Sequence, residues 1–414
     1  MTFNVSAGSA RWEVLYSDGA LVALKNWASQ TIFYHYDGWP EDPLDEHSGH
    51  PLLCSDAAVL TDLRFYGDTA LKFLEELDLI SSEVISIDTR TRFSALEFDQ
   101  ELNSSCHPRM LQRPRLSFFY PSREDLSEGQ TLVLTPEVNL FELWNNKQTT
   151  HSCLENMGVE APLGVCVRSY LEATAFIKQT SGPWILKSDV SRPRLVHDIC
   201  ELDGLENLEN GRWIIEQVIK TPLDAPSPNL TWLIPRDESE SPIFLFAADQ
   251  RINTKDFSHE GNRFPTTITS ELLRRCQLAA EPVLHALRGI DSVVGIDFIF
   301  DTDWQPMVVD INPRFNSCTF PGLAFDVLCG GNDRIGIYAT VHNAGYQNLS
   351  SFYEEFDNTV KWFSNHDGKG LILFSPQGIS EMTAFRILCI GEDDLECEGL
   401  YSDFVNVTNL QARN

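Results

Sequence analysis

The sequence is short of cations: 31 Lys and Arg stand against 60 Asp and Glu, a formal net charge of -29. A protein that tracks a phosphate backbone needs a local excess of Lys and Arg, so nucleic acid is not an expected partner. Long apolar runs are missing too. Residues 243–248 form one such run, far below the roughly 20 residues that span a bilayer. Residues 1–12 carry no basic patch followed by an apolar stretch, so neither membrane insertion nor export is expected, and the expected compartment is the cytoplasm. The ten cysteines, among them Cys54, Cys106, Cys153, Cys166, Cys276 and Cys397, form no C-x-x-C pair, and reduced thiols follow. Neither G-x-x-x-x-G-K-[ST] nor G-x-G-x-x-G occurs, which removes the main support for a P-loop or a dinucleotide fold. Ser152 beside His151, and Cys318 without a neighbouring histidine, form no nucleophile elbow.

What is there is ample for folding. A chain of 414 residues can build two or three domains and bury a core without disulfide or metal staples. Hydrophobic periodicity switches between short apolar runs and helical stretches, with no internal repeat, so the fold class is α/β or mixed α+β. The pattern predicts strands over residues 12–24 and 83–88, a helix over 61–77, and a surface loop over 39–51. That loop contains Asp45, Glu46, His47 and His50 at metal-like spacing, but no strand or helix fixes them and they are read as solvated. Further on it predicts a strand over 131–134, a helix over 145–156 closed by Gly158, a helix over 169–179, and strands over 184–188 and 212–219. Strands over 231–235 and 243–253 follow, then a loop with His259, Gly261 and Pro265, and a helix over 270–288 capped by Thr269 and stopped by Gly289. Two strands, 293–300 and 307–312, flank a turn at 301–304, and 370–374 is a further strand. The expected domains are 1–140, 141–345 and a small one over 346–414.

The chemistry concentrates on the paired strands. Alternation puts Asp310 and Asn312 on one face, and a hairpin can bring Asp297 beside them. Three hard oxygen donors suit Mg²⁺, which completes its octahedron with phosphate oxygens and water. Asp310 ends the apolar run Met307-Val308-Val309, so its charge emerges from a buried strand and needs a counter-ion. Arg314 can supply one, and its fork suits an acyl-phosphate or an oxyanion.

Residues 295–300 and 306–314, with Asp297, Asp310, Asn312 and Arg314, resemble the C-terminal signature of the ATP-grasp superfamily. The resemblance implies a nucleotide-binding ATP-grasp domain, flanked by an N-terminal pre-ATP-grasp α/β domain and a small C-terminal domain. It implies ATP and Mg²⁺ as cofactors, with the metal on Asp297, Asp310 and Asn312. Lys147 and Lys187 resemble the two phosphate-contacting lysines, and Glu216, Gln217, Val218 and Ile219 the adenine hinge. Asn229 or Asp224 takes the ribose. Arg314 and Lys187 are then catalytic, and Arg251 orients a substrate carboxylate. Residues 188–194 stand where many relatives have a Gly-rich lid but contain no glycine, and Arg192 and Arg194 are candidate substitutes for its backbone donors. Asp310 replaces the commoner Glu. Within the superfamily the chain is most similar to peptide ligases of pheganomycin type, with Phe315 to Pro321 in place of a Gly-Gly-Thr-Thr-His-Pro-like stretch. That likeness implies an ADP-forming ligase joining a small-molecule carboxylate to an amine, an amino acid or peptide, in natural-product biosynthesis. It allows a homodimer. A second reading is a grasp-type regulatory or scaffolding protein that binds nucleotide without turnover, and a third is a carboxylating or sugar-phosphate-modifying member of the same fold.

Overall fold

A computed structural model describes residues 31–34, 58–61, 84–86, 115–118, 133–135, 138–188, 193–202, 213–255, 257–329, 333–342, 360–364, 366–373 and 384–411. The strand expected over 12–24, the loop over 39–51 with its Asp, Glu and His donors, and Arg192 lie outside the described residues. So does the helix expected over 61–77, apart from Thr61, which ends a strand. The contacts divide the chain in space into two units, whereas the expected boundaries near 140 and 345 divide it along the sequence. One unit holds residues 1–138, 261–265 and 315–414; the other holds 139–260 and 266–314.

In the first unit, β1 (Thr31–Tyr34), β2 (Ala58–Thr61), β3 (Val84–Ser86), β4 (Arg115–Phe118) and β5 (Val133–Thr135) form a parallel sheet in the order β3-β2-β1-β4-β5. An antiparallel array comprises β12 (His259–Phe264), β15 (Ile335–His342), β17 (Ala384–Gly391) and β16 (Gly370–Leu373). The closing helix α6 (Asp394–Gln411) buries Cys397, Leu400 and Phe404 against Ile337, Leu371 and Ile387. The segment 259–264 was expected as a loop because its residues are polar and glycine-containing, yet it is a strand. Gly261 explains the exception: at φ 152° it lies so close to β15 that a Cβ would stand 1.9 Å from the Tyr338 carbonyl oxygen.

The second unit has two antiparallel sheets. The smaller follows the order β6-β9-β7-β8, from β6 (Gly164–Val167), β9 (Trp213–Gln217), β7 (Trp184–Ser188) and β8 (Arg194–Val196). Helices α2 (Lys147–Met157) and α3 (Tyr170–Gln179) accompany it; α1 (Val138–Asn145) precedes them. Ala173 and Ile177 of α3 pack on Leu186, Val167 and Ile215, forming its apolar side. The Asn146 side chain caps α2 by accepting from the Thr149 N–H at 3.0 Å, and Gly158 ends that helix at φ 67°.

The larger sheet of this unit contains β14 (Pro306–Asn312), β13 (Ser292–Phe300), β10 (Ser227–Ile234) and β11 (Ile243–Ile252), neighbours in that order. Its apolar side carries Leu230, Ile296, Phe298 and Phe300 and is accompanied by α4 (Ser270–Ala286), capped by Thr269. The turn between β13 and β14 is tied by Asp301, whose carboxylate accepts from the N–H groups of Asp303 and Gln305 at 2.9 and 2.8 Å. Among the described residues, no helix is long and apolar enough to cross a membrane.

Candidate active site

Three adjacent strands of the larger sheet carry a row of polar side chains on one face. Asn229 of β10 lies opposite Asp297 of β13, and Asp297 lies opposite Asp310 of β14. Residues directly opposite one another share a face. β14 reaches this arrangement through a bulge: Phe298 pairs with Val308 and Asp297 with Asp310, so Val309 is an extra residue. Strict alternation from the buried Val308 would have turned Asp310 into the core. The bulge re-phases the strand, so that Asp310 and Asn312 emerge beside Asp297 while Ile311 returns to the interior. Asn312 Nδ2 lies 3.4 Å from Asp297 Oδ2. Gly295, opposite Asn312, adds no side chain to crowd this edge.

Cations reach the same edge from other elements. Lys147 is the first residue of α2, and its Nζ donates to Asp310 Oδ2 at 3.1 Å. Lys187 sits on β7, whose buried residues alternate as Trp184, Leu186 and Ser188, so it points away from that core. Its Nζ is 2.6 Å from Glu216 Oε2 and donates to the Val309 carbonyl at 3.3 Å. The lysine therefore ties the smaller sheet to the bulge of β14. Glu216 is buried on β9 and also faces His151 Nδ1 at 3.6 Å, beyond hydrogen-bond distance. Arg314, two residues beyond β14, donates through Nη2 to Asn312 Oδ1 at 3.2 Å.

Three carboxylates and three permanent cations thus interlock in a partly dry pocket. Burial, reinforced by the negative charge of Asp310, pushes the Asp297 carboxyl up to about 7, against the opposing effects of Asn229, Lys147 and Lys187. Burial works in the same sense on Asp310, but the ammonium groups of Lys147 and Lys187, with Arg314, outweigh it and hold that carboxyl below its usual range. Asp310 in turn raises Lys147 above an ordinary lysine, over the opposing effect of burial. The two aspartates are one coupled acid pair whose repulsion a divalent cation would relieve. Among the described residues no three His, Cys, Asp or Glu side chains are placed to hold a metal ion. Two carboxylates with an amide oxygen are hard donors, and such a set fits Mg²⁺, which takes few protein ligands and fills its shell with phosphate oxygens and water.

The structure thus brings together Lys147, Lys187, Glu216, Asp297, Asp310, Asn312 and Arg314. It brings Asn229 there as well, but against Asp297 rather than on a rim suited to a ribose: its Nδ2 donates to Asp297 Oδ1 and its Oδ1 accepts from Thr231. Asp224 is exposed in the connection before β10, at φ 59°. Arg251 is not brought in. Gln250 pairs with Ser227, which shares the face of Asn229, so alternation turns Arg251 to the other side of the sheet. At the hinge, the Gln217 N–H donates to the Leu163 carbonyl at 2.8 Å and the Val218 N–H to that of Pro183 at 2.9 Å. Gln217 Nε2 is bonded to the Ser181 carbonyl at 2.6 Å. Arg194 spends its guanidinium on the Glu201 carbonyl at 2.8 Å, and Asn316, in the other unit, holds the turn into α5 (Thr319–Cys329) by accepting from Cys318 and Thr319. His151 and Thr231 went unnoticed as site residues. His151 was legible as the i+4 neighbour of Lys147 on one helix face; Thr231 was legible as Asn229's neighbour two residues on.

Comparison with known proteins decides the fold. Residues 144–318 match the family model described as an ATP-grasp domain. The fold is ATP-grasp. Solved structures similar to the chain include an N5-carboxyaminoimidazole synthase from Aspergillus clavatus, in complex with ADP and 5-aminoimidazole ribonucleotide. It aligns at TM-score 0.61 and 12% identity, over 92% of this chain and 100% of the other. An L-amino acid ligase from Bacillus licheniformis aligns at TM-score 0.55 and 12% identity, over 91% and 97%. A biotin carboxylase from Campylobacter jejuni aligns at TM-score 0.57 and 12% identity, over 89% of each. Comparison with curated proteins by sequence gives no match. The matched span contains every residue of the charged edge, from Lys147 to Arg314.

Proposed function

We propose that the chain is an ATP-dependent, ADP-forming carboxylate–amine ligase that makes an amide bond between small molecules, an amino acid or peptide among them. One observation carries the reading: Lys147, from the start of the ATP-grasp domain, meets Asp310, from near its end, at 3.1 Å, with Lys187 and Asp297 alongside. A strand-end aspartate with a single arginine would be an ordinary ion pair. Two lysines and two opposed aspartates across four elements instead match a magnesium polyphosphate charge for charge.

In the proposed reaction, the substrate carboxylate attacks the γ-phosphorus of ATP, ADP leaves, and an acyl-phosphate forms. The amine then attacks the acyl carbon, phosphate leaves with the electron pair of the broken C–O bond, and the amine gives up a proton. Lys147 and Lys187 hold the phosphate chain, and Arg314 offers its guanidinium to the transferring phosphoryl group and to the oxyanion of the second step. Asp297, Asp310 and Asn312 hold Mg²⁺, which when bound neutralises phosphate charge. The hinge reads adenine through groups other than the committed N–H donors of Gln217 and Val218. The proposal also includes the finer likeness to peptide ligases of pheganomycin type and a role in natural-product biosynthesis.

The test is to incubate purified protein with ATP, Mg²⁺ and pooled amino acids and to identify the nucleotide product. ADP with phosphate, dependent on an added amine, is expected. AMP would mean an adenylating enzyme, and dependence on bicarbonate would make the carboxylate donor inorganic. The second reading, binding without turnover, is favoured by the glycine-free sequence of residues 188–194. Tight ATP binding with no ADP release, unaltered in Asp310→Asn, would establish it.

A further inference from the structure

We infer that Asn229 and Thr231 are positioning residues for the metal-binding edge: Thr231 orients the amide of Asn229, and Asn229 orients the carboxylate of Asp297. The inference rests on the magnesium-dependent reading above and extends it to residues on a third strand.

The chain of donors runs in one direction. Thr231 Oγ1 donates to Asn229 Oδ1 at 2.9 Å. That oxygen is therefore the acceptor end of the amide, and Nδ2 is left to donate to Asp297 Oδ1. Asn229 and Thr231 are 3% and 0% exposed, so bulk water does not compete for either bond. With Oδ1 of Asp297 held from β10, Oδ2 is the oxygen turned towards Asn312 of β14, 3.4 Å from its Nδ2.

The residue type at 229 matters as much as its place. Asn229, Asp297 and Asp310 stand abreast on three adjacent strands. An aspartate at 229 would add a third negative charge to the row and remove the amide that donates to Asp297 Oδ1. Asparagine keeps the shape, limits the row to two acids and fixes one of them. Partners that orient a ligating carboxylate typically change metal affinity 10- to 100-fold when removed.

The experiment is a Mn²⁺ titration followed by electron paramagnetic resonance, on the full chain in the presence of ADP, with circular dichroism to verify folding. Wild type and Thr231→Ser, which keeps the hydroxyl, are expected to bind Mn²⁺ alike. Thr231→Val and Asn229→Ala are expected to bind about 10- to 100-fold more weakly. Thr231→Val keeps the side-chain shape and so decides the matter if Asn229→Ala does not fold. A folded Thr231→Val protein with wild-type Mn²⁺ affinity overturns the inference. Wild-type protein that binds no Mn²⁺ with ADP overturns the magnesium reading beneath it, a result distinguishable from the first.

Discussion

Lys187 and Glu216 form a close ion pair at 2.6 Å, with side chains 14% and 7% exposed. Removing one partner of such a pair leaves a buried charge, which costs about 3–5 kcal/mol. Lys187→Met is expected to destabilise the fold by that order, and adding Glu216→Gln to recover most of it, measured by urea unfolding. ATP affinity, followed by calorimetry, is expected to stay low in the double variant, which separates the lysine's stabilising role from its proposed phosphate contact. At this scale the sequence was informative about residue types. Lys147, Lys187, Asp297, Asp310, Asn312 and Arg314 were all named from motif and order, and they lie together. Asn229 and Arg251 were harder to place, because a side chain's direction depends on strand register, which a single sequence does not fix.

At the scale of the element, Gly164 of β6 faces Glu216 on β9. A Cβ there would stand 2.7 Å from Glu216 Cγ and 2.9 Å from His151 Cε1. Gly164→Ala is expected to lower stability by about 1–3 kcal/mol, the range for overpacking, and to weaken ATP binding by shifting the partner of Lys187. The closing helix α6 gives a pH prediction. The Glu396 N–H donates to Asp393 Oδ1 at 2.8 Å, and Glu396 Oε2 accepts from the Glu392 N–H at 2.9 Å, a variant of the capping box. That backbone bond, together with Lys369 and Lys361, draws the Glu396 carboxyl down to about 2, against an ordinary value of 4.5. A depressed folded-state value stabilises fully above the ordinary one and is lost as pH falls from about 4.5 towards 2. Thermal unfolding in that window is expected to depend less steeply on pH in Glu396→Gln than in wild type. Element type was legible wherever apolar spacing was regular, as in α2, α4, β7 and β13. It failed at β12, where Gly261 and polar neighbours conceal a strand held by its pairing with β15.

At the scale of the molecule, the net charge of -29 makes the cationic cluster at Lys147, Lys187 and Arg314 a local exception. On the proposed reading, free ADP would meet a repelling field, while its magnesium complex would carry less charge and meet two aspartates that suit the ion. Chelating Mg²⁺ is expected to weaken ADP binding by about tenfold or more, as calorimetry with and without a chelator would show. Equal affinity in both conditions would place the nucleotide away from this edge. The spatial division into two units was not legible, because residues 261–265 leave their sequence neighbours to join a sheet built far along the chain.

The supernumerary Val309 gives the hairpin a parity that everything beyond it inherits. Lengthening or shortening the turn at 301–305 leaves that parity untouched as long as Phe300 still pairs with Pro306. Pairing that valine regularly would exchange inside for outside, turning Asp310 and Asn312 into the core and Ile311 outward; deleting it would keep the facing but remove the carbonyl that accepts from Lys187 at 3.3 Å.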